Sequence, residues 1–176
     1  MSDDAPVAET MWSGKYLSVH RQGTWEYASR TNDIHAAVIL AVDDEDHVLL
    51  VEQYRVPLGA RTIELPAGLV GDAGTAEAVE AAATRELEEE TGYRPACVEP
   101  IGRFAASPGM TSETFTLVRA TGLTRTGAGG GIEGEDIVVH RVPVAMIADF
   151  LDARRRAGLV LDAKLLVLLG AGLLAR

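Results

Sequence analysis

The chain is poor in residue types on which several classes of protein depend. Its single cysteine, Cys97, excludes an internal disulfide and is interpreted as a packed thiol in a reducing compartment. Basic residues are scarce, since 16 Lys and Arg stand against 26 Asp and Glu and leave a net charge of −10. Because no basic stripe is available to neutralise a phosphate backbone, a nucleic-acid polymer is not expected as a partner.

Long apolar runs are missing as well. The most apolar stretch, residues 165–175, is too short to cross a bilayer and contains two glycines, so it predicts a packed terminal helix. The N-terminal segment MSDDAPVAET is acidic and lacks the basic start and apolar core of an export signal. We therefore expect a cytoplasmic protein with no membrane partner. Its hydrophobic content of 47% suffices for the core of one domain.

The most informative feature that is present is an acidic helix after a glycine-rich turn. In residues 71–93, GDAGTAEAVEAAATRELEEETGY, the side chains of Glu86, Glu89 and Glu90 fall within a helical wedge of roughly 100°. Their mutual repulsion costs a few tenths of a kcal/mol per pair, and a hard divalent cation would reverse its sign. The alternative is an ordinary solvated acidic surface. If the three glutamates bind a divalent cation, the helix indicates phosphate chemistry with a divalent metal.

The spacing of the fixed positions favours the metal site over the solvated surface. They follow the pattern G-x5-E-x7-R-E-U-x-E-E-x-G-U, where U is apolar. Its seven fixed identities, at about 7% usage each, would match by chance on the order of 10⁻⁸ times per starting position. The matching residues are Gly71, Glu77, Arg85, Glu86, Leu87, Glu89, Glu90, Gly92 and Tyr93.

This pattern resembles the signature box of the Nudix hydrolases, and it departs only at Tyr93, where an aliphatic residue is commoner. The likeness extends from about Trp25 to the C-terminus. It implies an α/β fold, an α/β/α sandwich with a mixed central sheet, that hydrolyses a nucleoside diphosphate linked to another group. It also implies Mg²⁺ as the cofactor, with Mn²⁺ as the alternative, held by Glu86, Glu89 and Glu90.

The remaining box positions are expected to be structural. By the same resemblance, Glu77 and Arg85 orient the loop and the helix through an ion pair, and a direct metal or phosphate role is the alternative. Gly71 and Gly92 complete this structural set.

Two flanking segments resemble the ADP-ribose pyrophosphatase subfamily. The ELPAG segment at 64–68 implies that the backbone carbonyl of Ala67 joins the metal shell and that Glu64 contacts substrate; an ordinary turn is the alternative. The SPG segment resembles a loop that shapes the pocket for a terminal ribose, which makes Pro108 and Gly109 candidate contacts. By sequence alone this second segment is a tight turn.

Other residues outside the box are candidates for base, phosphate and nucleobase contacts. Glu133 and Glu135 follow the glycine-rich loop at 126–134, whose glycines provide hinge freedom for a closing lid. Glu133 is slightly preferred as general base because it aligns better with the acid of similar enzymes. Glu89 competes for that role, and a flexible acidic loop is the bland alternative.

Arg55 ends a QYR segment similar to that of the family. It is the candidate phosphate contact, with a surface ion pair as the alternative. Trp25 shares a strand face with Tyr27 and could stack on a purine, although core or dimer packing is the alternative use.

The order of elements matches this reading. Hydrophobic patterning predicts a hairpin over 16–30 that turns near Gln22-Gly23. It also predicts strands over 35–42, 48–54, 62–65, 98–104, 114–120 and 137–141, and helices over 144–157 and 162–175. Residues 1–33 are therefore expected to form a small N-terminal antiparallel sheet and 34–176 the Nudix domain. In similar enzymes such an extension helps to build a homodimer.

The expected reaction is Mg²⁺-dependent hydrolysis of ADP-ribose, a small-molecule nucleotide, to AMP and ribose 5-phosphate. A near alternative is hydrolysis of GDP-mannose or another nucleoside diphosphate sugar, because the box handles only metal and diphosphate. A Nudix-like sensor that binds nucleotides without catalysis is the alternative from another class. A hydrolase of oxidised nucleoside triphosphates ranks lower, since the ELPAG and SPG flanks suit a diphosphate with a second sugar.

Overall fold

A computed structural model describes residues 6–31, 34–71 and 77–174, with side chains up to residue 170. Residues 72–76 of the box, residues 1–5 and 32–33 of the N-terminal extension, and Ala175 at the predicted helix end lie outside the described residues.

The described chain alternates strands with three α-helices. The strands are β1 (Glu9–Ser13), β2 (Leu17–Gln22), β3 (Trp25–Arg30), β4 (His35–Ala41), β5 (His47–Arg55), β6 (Ala60–Glu64), β7 (Ala67–Val70), β8 (Tyr93–Arg94), β9 (Cys97–Ala105), β10 (Thr114–Thr121), β11 (Thr124–Arg125), β12 (Val138–Pro143) and β13 (Val160–Leu161). The helices are α1 (Val79–Thr91), α2 (Ile147–Arg156) and α3 (Leu166–Leu174), with 3-10 turns at Val56–Leu58, Val144–Met146 and Ala163–Leu165.

The strands form a small N-terminal sheet and two four-stranded sheets. The N-terminal sheet is antiparallel in the order β1-β2-β3, and a two-residue ribbon pairs β11 with β8. The larger sheets have the orders β7-β4-β10-β9 and β12-β5-β6-β13. Each is mixed, because β4 runs parallel to β10 and β6 runs parallel to β13. The mixed character was predicted, and the structure distributes it over two four-stranded sheets.

Strand alternation builds the three layers of the sandwich. Ala37 and Ile39 of β4 pack in one core cluster with Leu87 of α1. Val38, between them, points to the opposite face and packs in a second cluster with Leu151 of α2. Helices therefore cover both faces of the sheets, as the sandwich requires. Leu87 is fully buried, so its truncation to Ala would cost about 2–5 kcal/mol.

Helix α1 ends where a glycine permits the chain to turn away. Gly92 has φ 74°, a left-handed conformation, and its N–H donates to the carbonyl of Glu88. An added Cβ at Gly92 would lie 2.5 Å from the carbonyl oxygen of Gly127, so the glycine-rich loop passes directly against this helix end.

The structure differs from the predicted elements just before the box and in several short strands. Ala67 and Gly68 were expected in a turn, but they begin β7 and pair with Val38 and Ala37 of β4. Strands β1, β8, β11 and β13 were not predicted, and the last three have only two residues each, too few for a periodic pattern. None of the described helices has the length and apolarity needed to cross a membrane.

Candidate active site

A cavity of about 830 Å³ gathers residues from β4, β6, β7, α1 and the segment before α3. This volume is in the range of small-molecule binding sites. Its wall contains six of the residues singled out in the sequence as site candidates, together with Arg85 of the box. The six are Arg55, Glu64, Ala67, Glu86, Glu89 and Glu135.

Glu86 lies directly on the backbone of β7. A Cβ built on Gly68 would lie 1.9 Å from Cδ of Glu86, so only a glycine leaves room for this carboxylate. The segment before the box and the acidic face of α1 are therefore in contact, with the carboxylate of Glu86 beside Gly68.

Glu90 is buried on the same side of α1. Its Oε2 accepts a hydrogen bond of 3.0 Å from the backbone N–H of Ala67. Burial, together with the negative charges of Glu86 and Glu135, raises the pKa of the Glu90 carboxyl to about 8, against the opposing effects of the Ala67 hydrogen bond and of Arg55. Glu86 and Glu135 therefore lie close enough to Glu90 to repel its carboxylate, and the cationic side chains nearby do not fully offset this repulsion.

Arg85 ties the acidic residues of the box together. Its guanidinium contacts Glu77 at 3.3 Å, which is the ion pair that the sequence predicted between these residues. It also contacts Glu86 at 2.8 Å and Glu89 at 3.4 Å. The hydrogen bond to Glu77, together with the charge and hydrogen bond of Glu86, raises the pKa of Arg85 further above its ordinary value against the effect of burial.

Arg55 and Glu64 form a bidentate ion pair in the cavity wall. Nε and Nη2 of Arg55 donate to the two carboxylate oxygens of Glu64 at 2.7 and 2.8 Å. Thr62 donates its hydroxyl to Oε1 of the same carboxylate at 2.5 Å. Burial acts to raise the pKa of Glu64, but hydrogen bonds from Arg55 and Thr62 hold it below its ordinary value. Glu64, which the sequence placed among substrate contacts, is thus engaged by its own neighbours.

Of the two loop glutamates, only Glu135 lies in the wall of the cavity. Its carboxylate accepts a hydrogen bond from the backbone N–H of Ile132 at 3.0 Å, and its charge acts on Glu90. Glu133, the slightly preferred candidate in the sequence, is exposed and is not among the lining residues. The loop turns between the two residues, and that turn decides which acid faces the cavity.

The glycines of this loop were expected to provide hinge freedom for a closing lid. In the structure they allow the loop to pack closely against the end of α1. The N–H groups of Gly130 and Gly131 donate to the carbonyls of Glu90 and Glu89 at 2.8 and 3.0 Å, so the loop caps the C-terminal end of α1. An added Cβ at Gly129 would lie 2.4 Å from the backbone of Thr91. The first half of the loop is thereby fastened to the helix that carries the acidic face.

Three predicted substrate contacts lie away from the cavity of their own chain. Trp25 begins β3 and is 62% exposed. Pro108 and Gly109 form the exposed tip of a turn, and the next residue, Met110, accepts a hydrogen bond from Ala28 of β3. The SPG segment therefore holds the N-terminal sheet, while Glu113 beyond it reaches the cavity.

Several lining residues carry no signal in the sequence. Arg30 and Glu113 form an ion pair of 2.6 Å although they are 83 residues apart. Phe115, which stacks on Phe104 with ring centroids 5.8 Å apart, and Lys164 complete this part of the wall. No short motif connects these residues, because only the register of distant strands brings them together.

The donor set fits a hard divalent cation. Carboxylate oxygens and a backbone carbonyl are ligands that Mg²⁺ accepts, and the glycine at position 68 leaves space for Glu86 against β7. Within residues 6–31, 34–71 and 77–174, no three acidic, His or Cys side chains converge as a ready metal cluster. Arg85 engages Glu86 and Glu89, so a cation would compete with it for these carboxylates.

A family comparison agrees with the box and its place in the fold. The NUDIX domain model matches residues 33–159, well over half of the chain. The chain belongs to the Nudix family. The match begins at the boundary between β3 and β4 and ends just before β13.

Curated proteins with similar sequences carry several different names. A methanol dehydrogenase activator of Bacillus methanolicus is 37% identical over 103 residues, 58% of this chain and 54% of that protein. An ADP-ribose pyrophosphatase of Bacillus subtilis (strain 168) is 42% identical over 89 residues, 51% of this chain and 46% of that protein. A GDP-mannose pyrophosphatase of Enterobacter sp. (strain 638) is 31% identical over 142 residues, 76% and 70% of the two chains. The chain spans about half the length of the first two of these relatives.

The Nudix fold is also similar to a solved structure over nearly its whole length. A crystal structure described as an ADP compounds hydrolase has a TM-score of 0.71 and 25% identity, and the likeness covers 98% of this chain and 96% of that chain. The similarity therefore takes in the N-terminal sheet as well as the Nudix domain.

Proposed function

We propose that the protein hydrolyses the diphosphate bond of ADP-ribose and releases AMP and ribose 5-phosphate. The observation that carries this proposal is the cavity in which the Glu86 and Glu89 carboxylates of the Nudix helix lie in one wall with Arg55 and Glu135. Acidic and basic groups that line one cavity suit a substrate whose phosphates bind both metal cations and arginine. The similarity to ADP-ribose pyrophosphatase and to an ADP compounds hydrolase supports the choice of nucleotide.

Mg²⁺, with Mn²⁺ as the alternative, would be held by Glu86, Glu89, Glu90 and the carbonyl of Ala67, and would neutralise phosphate charge and acidify an attacking water. Gly71, Glu77, Arg85 and Gly92 would keep the box in shape.

The remaining steps belong to the chain itself. Arg55 donates to a phosphoryl oxygen of the substrate while Glu64 keeps its guanidinium in place. Glu135 accepts the proton of the attacking water, with Glu89 as the competing base. A new O–P bond forms as the bridging O–P bond breaks, and the bridging oxygen departs on the other phosphate.

The decisive experiment is product identification after incubation of the whole chain with ADP-ribose and Mg²⁺. We expect AMP and ribose 5-phosphate in equal amounts, with no release in EDTA. A reaction run in ¹⁸O-labelled water would show which phosphorus receives the new oxygen. Intact ADP-ribose after prolonged incubation with either Mg²⁺ or Mn²⁺ would refute the proposal.

GDP-mannose is the second candidate substrate. The similarity to a GDP-mannose pyrophosphatase covers 76% of this chain and 70% of that protein, more than the likeness to ADP-ribose pyrophosphatase covers. The same assay on GDP-mannose would yield GMP and mannose 1-phosphate. Stoichiometric binding of either nucleotide without Mg²⁺-dependent hydrolysis would instead establish a sensor.

A homodimer built through the N-terminal sheet is part of the same proposal. Residues 1–33 would be the extension and 34–176 the catalytic domain. Four large apolar side chains in and beside β1–β3 are between 51% and 67% exposed: Met11, Trp12, Tyr16 and Trp25. Large apolar side chains exposed in and beside one small sheet suit a partner surface. Light scattering of the wild type and of Trp12→Asp would test it, and a monomeric wild type would refute it. A cytoplasmic location is also proposed, on the single cysteine.

A further inference from the structure

Two neighbouring parallel strands each have an ion-paired residue at their carboxyl end, at the same edge of the cavity. β6 and β13 are neighbours in one sheet, with Thr62 opposite Val160, and their carboxyl ends therefore lie side by side. Glu64 ends β6, and Asp162 follows β13 directly, with its N–H bonded to the carbonyl of Ile63 at 3.0 Å. Ligands of α/β proteins commonly bind at such strand ends.

The second ion pair, between Asp162 and Lys164, also has two hydrogen bonds. Asp162 accepts a hydrogen bond from the backbone N–H of Lys164 at 2.7 Å, and its other oxygen accepts one from Nζ of Lys164 at 2.5 Å. The lysine side chain is 24% exposed. Its Nζ also lies 5.9 Å from the ring centroid of Phe115. The ammonium is thus held in the cavity wall by the segment between β13 and α3.

The two ion pairs form one electrostatic unit. The positive charge of Lys164 contributes, after the hydrogen bonds of Arg55 and Thr62, to holding the pKa of Glu64 below its ordinary value against the effect of burial. The negative charge of Asp162 contributes, after Glu64 and Glu90, to raising the pKa of Arg55. Arg55, Glu64, Lys164 and Asp162 therefore alternate in charge around one corner of the cavity.

This corner has unused capacity for an anion. An ammonium has three N–H donors, and the bond to Asp162 uses one of them. The arginines of the wall are paired with carboxylates as well, since Arg30 binds Glu113, Arg55 is bidentate to Glu64 and Arg85 contacts Glu77, Glu86 and Glu89. With a net charge of −10, the protein has to meet an anionic ligand with local cations.

We propose that Lys164 is a further substrate-binding residue, which donates to the diphosphate beside Arg55. Lys164 lies beyond residue 159, where the Nudix family match ends, so this contact comes from the segment that follows the family domain. The proposal rests on the proposed function for the identity of the substrate, but the binding site itself requires only a nucleoside diphosphate.

The chain offers a matched control, because Lys15 and Lys164 are its only lysines. Lys15 also lies over an aromatic ring, 4.8 Å from the centroid of Tyr16, but on the N-terminal sheet outside the cavity wall. Lys164→Met keeps the apolar stem and removes the charge, whereas Lys164→Arg keeps the charge.

Calorimetry of ADP binding in Mg²⁺ tests the contact without turnover. We expect Lys164→Met to weaken ADP binding about tenfold, a loss of the size of one charge-assisted hydrogen bond. Lys164→Arg should stay within about threefold and Lys15→Met should match the wild type. Acylation of the unmodified protein provides a second readout, since ADP should shield Lys164 and leave Lys15 reactive.

Steady-state kinetics on two nucleotide sugars show whether Lys164 contacts the diphosphate or the sugar. Lys164→Met should raise KM by the same factor for ADP-ribose and GDP-mannose and leave kcat within about twofold, because the contact exists in the ground state. A rise in KM for only one of the two substrates would show that Lys164 contacts the sugar, and it would overturn the assignment to the diphosphate.

The binding experiments also keep this inference apart from the proposed function. If neither nucleotide sugar is hydrolysed, the proposed function fails, while ADP affinity and acylation still decide the role of Lys164. Unchanged ADP affinity in Lys164→Met, or a wild type that binds no ADP, would overturn it.

Discussion

The hydroxyl of Thr62 donates to Oε1 of Glu64 across 2.5 Å, and Arg55 binds the same carboxylate through two hydrogen bonds. Thr62 and Glu64 are 2% and 4% exposed, so water cannot replace a lost partner. This arrangement makes Thr62 a positioning residue: it fixes the carboxylate that fixes the proposed phosphate-binding arginine.

The first prediction concerns Thr62→Val, which keeps the shape of the side chain and removes the hydroxyl. The free energy of unfolding should fall by about 1.5–3 kcal/mol, since a buried charge loses a hydrogen bond. KM for ADP-ribose should rise, by roughly tenfold if 1.4 kcal/mol of binding is lost, while Thr62→Ser restores it.

Thr116→Val, on the adjacent sheet, is the control for Thr62→Val. A double-mutant cycle with Arg55→Ala separates positioning from stability, because the effect of Thr62→Val on KM should vanish when Arg55 is absent. An equal increase of KM in both backgrounds would contradict the role assigned to Thr62.

The second prediction compares the two loop glutamates. Glu135 lies in the cavity wall and Glu133 does not, so Glu135→Gln should lower kcat by at least about a hundredfold, the size expected for a lost general base. Glu133→Gln should remain within about threefold of the wild type. The pH profile of kcat should lose a limb in Glu135→Gln alone. A large loss of kcat in Glu133→Gln, with Glu135→Gln near the wild type, would instead support Glu133 as the general base.

The third prediction uses two glycines that flank the box. Gly68→Ala would place a Cβ 1.9 Å from Cδ of Glu86, so this carboxylate has to leave β7. We expect loss of most Mg²⁺-dependent hydrolysis with a folded protein, measured by activity titrated with Mg²⁺ and by circular dichroism.

Gly109→Ala is the matched control for Gly68→Ala, because an added Cβ there meets no atom within 4 Å. It should leave both activity and folding unchanged. An inactive Gly109→Ala would show that the SPG turn contacts substrate in a way that its exposed position does not suggest.

The fourth prediction is a pH dependence of stability in EDTA. The pKa of Glu90 is raised from 4.5 to about 8, so between these values the folded protein binds a proton that the unfolded chain has released. The free energy of unfolding should therefore fall as pH rises through this window, by about 1.4 kcal/mol per pH unit at most, and level off above it.

Urea unfolding of the wild type and of Glu90→Gln, each from pH 5 to 9, measures this slope. The difference between the two proteins isolates Glu90 from other titrating groups. Glu90→Gln should remain folded and lose Mg²⁺-dependent turnover. Parallel stability curves for the two proteins would show that Glu90 does not titrate in this range.

Local spacing explains which parts of the site were predictable. Glu86, Glu89 and Glu90 share a helix face because 3.6 residues make a turn, whatever surrounds the helix. The ion pair of Glu77 with Arg85 also lies within the box, only eight residues apart. The strands β4, β5, β9 and β10 were found within one or two residues, since their apolar runs are long enough to show a pattern.

Other parts depended on contacts that no local pattern records. Ala67 and Gly68 are extended because β4 offers them a partner, not because of the proline before them. The glycines at 129–131 cap α1, a role visible only when the loop and the helix end meet. Glu133 and Glu135 are two residues apart, and a turn between them decides which one reaches the cavity.

The sequence by itself determined the family, the acidic helix face and the chemistry that such a face supports, because periodic spacing along one helix requires no knowledge of the rest of the chain. Only the tertiary structure decided which cations share the cavity. Arg30 meets Glu113, and Lys164 lines the same cavity as Arg55, although these residues are 83 and more than 100 positions apart in the chain. The packing of the sheets determines which distant residues meet, and this cannot be read from the chemistry of the individual residues.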